Sequence, residues 1–246
     1  SRRRHTRYWR DWSSDVCSSD LPTYKTVLPS DGREIKFRPF LVKEQKVLML
    51  AKEGESQEES LETVKGMIND VTFGEVDADE LAMVDLEWLF IQIRSKSVGE
   101  TANLKMKCQE NDCSGTGDAI INFEEVTVDG EIPDNTVMIS DDVGVVLRLL
   151  KVKDTKGVVD MPENEVIFYL LNKSIDRIFD AESVYERTDI SDDDVDEFIE
   201  NLTFAQLGKL SEFFENTPKL RKEVEFRCDV CTTQQSRVLE GLNNFF

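Results

Sequence analysis

Leu104-Lys-Met-Lys-Cys-Gln-Glu-Asn-Asp-Cys-Ser-Gly115 and Val224-Glu-Phe-Arg-Cys-Asp-Val-Cys-Thr-Thr233 are the two stretches on which the fold turns. Each alternates apolar and polar residues as a short strand does, and then delivers two cysteines at a turn. The spacings are Cys108-x4-Cys113 and Cys228-x2-Cys231. Zinc takes four soft ligands in a tetrahedron, and two tight loops can each present two thiolates to one ion. Four protein ligands close the site, leaving no position for a reactive water, so such a zinc is structural and not hydrolytic. In the chain, 114 residues separate Cys113 from Cys228. Closing a loop of that length costs on the order of 4 kcal/mol, against roughly 10–16 kcal/mol for structural zinc in small peptides. Neither pair is followed directly by Gly, since Thr232 follows Cys231 and Ser114 follows Cys113. Two pairs of reduced thiols, or a redox role for the Cys228-x2-Cys231 pair, remain as alternatives. Disulfides would require an oxidising compartment.

Outward from the cysteines, the rest of the chain falls into place around two halves of one zinc-ribbon-like element, 98–130 and 221–246. Residues 21–97 read as a hairpin and short helices. Tyr24, Thr26 and Leu28 alternate into Pro29-Ser-Asp-Gly32, a turn signal, and Glu34 to Arg38 form the return strand. Helical spacing follows at 41–51, 58–70 (Leu61, Val64, Met67, Ile68) and 78–94 (Leu81, Val84, Trp88, Leu89, Ile91), with a polar loop over 53–59. Residues 131–220 read as an insert, a hairpin turning at 140–144 followed by helices. The first helix starts at Pro162 and runs through Leu171, Ile175 and Ile178. Ser191-x-x-Asp194 and Thr203-x-x-Gln206 have the spacing of capping boxes for two more, and Pro218 ends the last. The fold class predicted is α+β: a zinc-ribbon-like β element carrying four cysteines, a mostly helical insertion, and an N-terminal β-hairpin plus short helices.

Residues 1–20, SRRRHTRYWRDWSSDVCSSD, stand apart from all this. They hold five Arg, no Lys, and the only His of the chain. They lack the apolar core of an export signal and are read as a translated sequencing adapter, disordered and foreign to the fold, with a basic N-terminal arm as the alternative. From Leu21 onward there are 25 basic and 47 acidic side chains, a net charge of about −22, and no His. The lack of His removes His-based triads, general bases and metal ligands together. The negative charge opposes nucleic acid and anionic membrane, and no apolar run approaches the ~18–20 residues that span a bilayer. The chain reads as a soluble cytosolic protein with no nucleic-acid or membrane partner, its oligomeric state open.

Other features carry less chemistry. The run from Asp189 to Glu197 imitates a calcium loop, but Asp194 stands where that loop needs Gly. Its carboxylates suit the positive end of a helix instead. No nucleotide-binding or nucleophile-elbow motif is present, so the chain is read as no enzyme. Phe213-Phe214 and the terminal Phe245-Phe246 are apolar in unusual places. Docking on the chain's own core is one reading, and insertion of Phe245 and Phe246 into a partner is the other.

Tyr24 to Gly32, Ile35 to Glu44, Leu202-Thr203, Phe213-Phe214, Pro218-Lys-Leu220, Cys228-x2-Cys231 and Leu239-Glu-Gly-Leu-x-x-Phe-Phe246 together resemble the T4-like bacteriophage baseplate hub assembly proteins. The likeness covers most of 22–246. It implies a protein of the infected bacterial cytoplasm, or of the virion baseplate, that binds phage baseplate hub proteins during tail assembly. Cys108 and Cys113 rest on spacing and not on the resemblance. Two rival readings are a zinc-ribbon transcription regulator that binds polymerase, and an enzyme without a recognisable motif.

Overall fold

The computed structural model describes residues 21–53, 57–110 and 112–241. The segment 1–20 and the terminal Phe245 and Phe246 lie outside the described residues. The architecture is mixed α+β, with small antiparallel sheets and helices gathered on three apolar cores.

The first core belongs to the N-terminal region. Strands β1 (Tyr24–Val27) and β2 (Glu34–Phe37) pair antiparallel around the expected turn. Gly32 adopts φ +75°, a left-handed conformation that glycine takes without steric cost, and its N–H donates to the Leu28 carbonyl at 3.0 Å. Helices α1 (Val42–Glu53), α2 (Gln57–Val71) and α3 (Met83–Val98) follow. Leu28, Ile35, Phe37, Ile68, Leu86 and Phe90 are buried together. Two polar contacts set the angles. The Ser30 N–H donates to Asp85 of α3 at 2.9 Å, tying the turn to the helix. Arg38 forks onto Glu44 at 2.8 and 3.0 Å, and the same carboxylate accepts the Leu41 N–H at the start of α1. The helix expected over 78–94 begins only at Met83. Ala78–Glu80 is instead a 3-10 turn capped by the Asp77 side chain, which accepts the Asp79 N–H, and Ala82 pairs with Lys151.

The second core lies under the cysteine hairpins. Strands β3 (Thr101–Lys107) and β4 (Thr116–Asn122) form one hairpin. After β5 (Thr127–Asp129) the chain leaves for the 131–220 region, and it returns in β10 (Lys219–Arg227), which turns into β11 (Gln234–Glu240). β5 pairs with the first residues of β10, Lys219 against Asp129, so departure and return lie side by side. Ile121, Phe123, Leu220, Val224, Phe226 and Leu239 bury one face against α3.

The third core fills the excursion. β6 (Thr136–Met138), β7 (Gly144–Leu147), β8 (Ile175–Phe179) and β9 (Val184–Glu186) make a four-stranded antiparallel sheet. Helices α4 (Glu163–Ser174), α5 (Asp192–Glu200) and α6 (Phe204–Glu215) cover it, burying Leu171, Val195, Leu210 and Phe213. The helix that starts after Pro162 therefore does not continue through Ile175 and Ile178. It ends at Ser174, and Ile175 begins a strand hydrogen-bonded to β7 and β9. Branched side chains suit that pleated position better than another helical turn. Both capping boxes form, Ser191 with Asp194 and Thr203 with Gln206. Phe213 and Phe214 meet edge to face within this core, ring centroids 5.4 Å apart.

One segment joins the third region to the first. Val152 is buried in the first core, its N–H donating to Leu81 at 2.9 Å, and Lys151 and Lys153 both reach Glu80. Arg148 forks onto buried Asp154 at 2.7 and 3.1 Å and shapes the turn. No helix among the described residues is long and apolar enough to cross a membrane.

Candidate metal centre

β3 and β10 each run directly into a cysteine, Cys108 and Cys228, and the approach of β4 to β10 brings both to the same end of the unit. Each turn is closed by the backbone: the Cys108 N–H donates to Gly115, and the Cys228 N–H to Thr233. Asp112 and Thr232 take positive φ, 66° and 59°, to swing Cys113 and Cys231 back towards their partners.

Two glycines allow the hairpins to meet. A Cβ on Gly115 would lie 2.5 Å from Cys228 Sγ, and one on Gly117 would lie 2.7 Å from the Phe226 ring, closer still to the Arg227 carbonyl. Real Cβ atoms do not approach so near, so only glycine permits this spacing. Asp229 then stitches the turns, donating its N–H to the Thr116 carbonyl at 2.7 Å and accepting the Thr116 N–H at 2.9 Å.

The result brings all four predicted cysteines together. Their sulfurs lie within 4.8 Å of one another, with Cys108 to Cys231 at 3.6 Å and Cys113 to Cys228 at 3.7 Å. Both short distances run between hairpins and not within them. All four are free thiols, far beyond the ~2.0 Å of a disulfide. A tetrahedron with metal–sulfur bonds of about 2.3 Å has edges of about 3.8 Å, which is the spacing these pairs show. Among the described residues this is the cluster of Cys, His, Asp or Glu able to hold a metal ion.

The surroundings treat the sulfurs unequally. Gln235 Nε2 donates to Cys108 Sγ at 3.1 Å, and the Gln109 N–H fixes that amide through its oxygen at 3.0 Å. Hydrogen bonds from the Thr233 hydroxyl and N–H bring Cys231 down to about 6. At Cys113 the Gly115 N–H acts to lower the value, but burial and the three neighbouring thiols outweigh it and push it up to about 12. A divalent ion bound by these sulfurs would reverse this crowding, because it would replace thiol protons with shared positive charge. The supporting residues Gly115, Gly117, Asp229 and Gln235 were not singled out from sequence as parts of a site. The signal that could have found Gly115 is its position two residues after Cys113, where a turn brings a second strand close.

The acidic run does not gather into a second site. Asp194 turns its carboxylate back onto Ser191, accepting the N–H at 2.9 Å, as a helix cap does. Phe245 and Phe246 lie outside the described residues.

No curated protein and no solved structure matches the chain. The family described as T4 bacteriophage base plate protein matches residues 21–246, the span that holds all three cores and both cysteine hairpins. Through those residues the chain belongs to the T4 bacteriophage base plate protein family.

Proposed function

We propose that this protein serves the assembly of the tail baseplate hub, binding hub subunits without catalysing a reaction, and that one structural zinc on Cys108, Cys113, Cys228 and Cys231 holds its shape. The observation that carries this reading is the convergence of four sulfurs from chain segments separated by 114 residues, in a member of a baseplate family. A closed four-thiolate site offers no open coordination position, so its contribution is rigidity. On this reading 98–130 and 221–246 are two halves of a zinc-ribbon-like unit, 21–97 an N-terminal unit, and 131–220 an insert. The metal braces the root of the insert, presenting it at a defined angle to hub proteins in the infected cytoplasm and in the assembled baseplate. The terminal Phe245 and Phe246 would supply an apolar anchor in such a contact.

Two measurements test the proposal. Metal analysis of the purified chain should return about one zinc per chain, lost when either cysteine pair is changed to serine. Retained zinc after loss of Cys108 and Cys113 would refute the shared site. Phage lacking this gene should leave tail precursors without a completed hub, and the intact gene supplied in trans should restore them. Normal tails without the gene would refute the assembly role.

A further inference from the structure

The geometry points to head-to-tail self-association, in which the outward face of α1 on one copy binds the exposed start of α4 on the next. This goes beyond hub binding and stands independently of it. On its inner side α1 packs Leu48 on the first core and ties Glu44 to Arg38. Its outer side is also apolar: Val42 is 69% exposed, Val47 51%, Met49 59% and Leu50 68%. The charges set among these residues are Lys43 and Lys46, both exposed and neither in an ion pair among the described residues. Val42, Lys46, Met49 and Leu50 follow the i, i+4, i+7, i+8 spacing of one stripe. This is a basic, apolar face on a chain of net charge −20.

The first two turns of α4 have the opposite character. Ile167 and Phe168 are 51% and 43% exposed, and Glu163 and Glu165 beside them are exposed without ion pairs among the described residues. Glu163 lies one turn before Ile167, and Glu165 one turn before Phe168. The two faces sit on different cores, and the exposure of their side chains leaves each open to another molecule. Symmetry then selects the pairing. A two-fold contact of α1 with α1 sets Lys43 and Lys46 against themselves, and α4 with α4 does the same for Glu163 and Glu165. Only the heterologous contact joins apolar to apolar and ammonium to carboxylate. Such a contact repeats around a ring or along a fibre.

Sedimentation velocity on the purified full chain, across a range of concentrations, reads the outcome. The expected result is concentration-dependent growth beyond a dimer. Lys43→Glu with Lys46→Glu should weaken association at least tenfold, and Glu163→Lys with Glu165→Lys should do likewise. All four reversals in one chain should restore it, which a merely misfolded variant could not do. Circular dichroism checks that each variant keeps its secondary structure. A chain monomeric up to its solubility limit, a two-fold dimer that does not grow, or a fourfold variant that stays monomeric while folded each overturns the proposal.

Discussion

The cysteine hairpins and the region they enclose are both built around antiparallel strands, yet they are covered differently. Around β3, β4, β10 and β11 burial alternates along each strand, with one face on α3 and the other open to water. The hairpins touch mainly where Gly117 lets β4 approach β10 and where the four sulfurs converge. The enclosed sheet of β6 to β9 instead carries three helices, and Leu171, Val195, Leu210 and Phe213 are almost wholly buried between them. On the reading proposed above, a metal on the four sulfurs would cross-link the ends of the two hairpins, which share only this one-sided core and the Asp229–Thr116 hydrogen bonds. A sheet roofed by helices needs no such constraint. The comparison teaches where this molecule depends on chemistry and where on packing.

The largest expected effect follows from breaking the constraint. Chelation, or Cys228→Ser, should remove the metal and lower the melting temperature on the order of 10 °C or more. Hydrogen exchange should lose protection in β3, β4, β10 and β11 while α5 and α6 keep theirs. Equal loss in both regions would erase the distinction.

Next comes the converse. Phe213→Ala should destabilise the enclosed region by about 3–5 kcal/mol through a core cavity, with zinc content unchanged. Loss of metal in that variant would show that the two regions fold as one unit.

A smaller effect concerns the segment that clips the third region to the first. At Asp154 burial acts to raise the carboxyl, but Arg148 and the Lys151 N–H outweigh it and hold it below the usual carboxylate range. A depressed folded value stabilises the protein above the unfolded value of about 3.9 and loses that contribution as pH falls through the folded one. Acid titration should therefore loosen this clip below pH ~4. Asp154→Asn should start about 1 kcal/mol less stable and lose less on acidification. An unchanged acid profile in that variant would assign the transition to other carboxylates.

The smallest effect runs the other way. Thr232 is branched, exposed and held at φ 59°, a conformation that disfavours any side chain. Thr232→Gly should raise stability by less than about 1 kcal/mol, since glycine also gains entropy when unfolded. Its readout is a small upward shift in melting with zinc binding intact. A fall would mean that the threonine side chain itself supports the turn.

Much of this was legible from residues alone. The turn at Pro29 to Gly32, both capping boxes and the strands entering Cys108 and Cys228 are written in local chemistry, so reading them required no partner. The strand from Ile175 was not legible, because Ile175 and Ile178 extend a helical period as easily as they begin a strand. Hydrogen bonds to β7 and β9 decide between the two, and neither strand is visible to a helical period count. The same holds for Val152, which reads as part of the third region and is buried in the first core.

By itself the sequence determined that residues 21–246 hold four thiols in two pairs at turns and no histidine, and that the chain is strongly acidic. These are properties of composition and short-range spacing, which survive in any fold. Only the tertiary structure decided that the pairs meet across hairpins, Cys108 with Cys231 and Cys113 with Cys228. It alone shows that Gly115 and Gly117 make the approach possible and that Gln235 and Thr233 serve the sulfurs. Those facts depend on atoms brought within a few ångströms from segments more than a hundred residues apart, a distance over which sequence carries no geometric information.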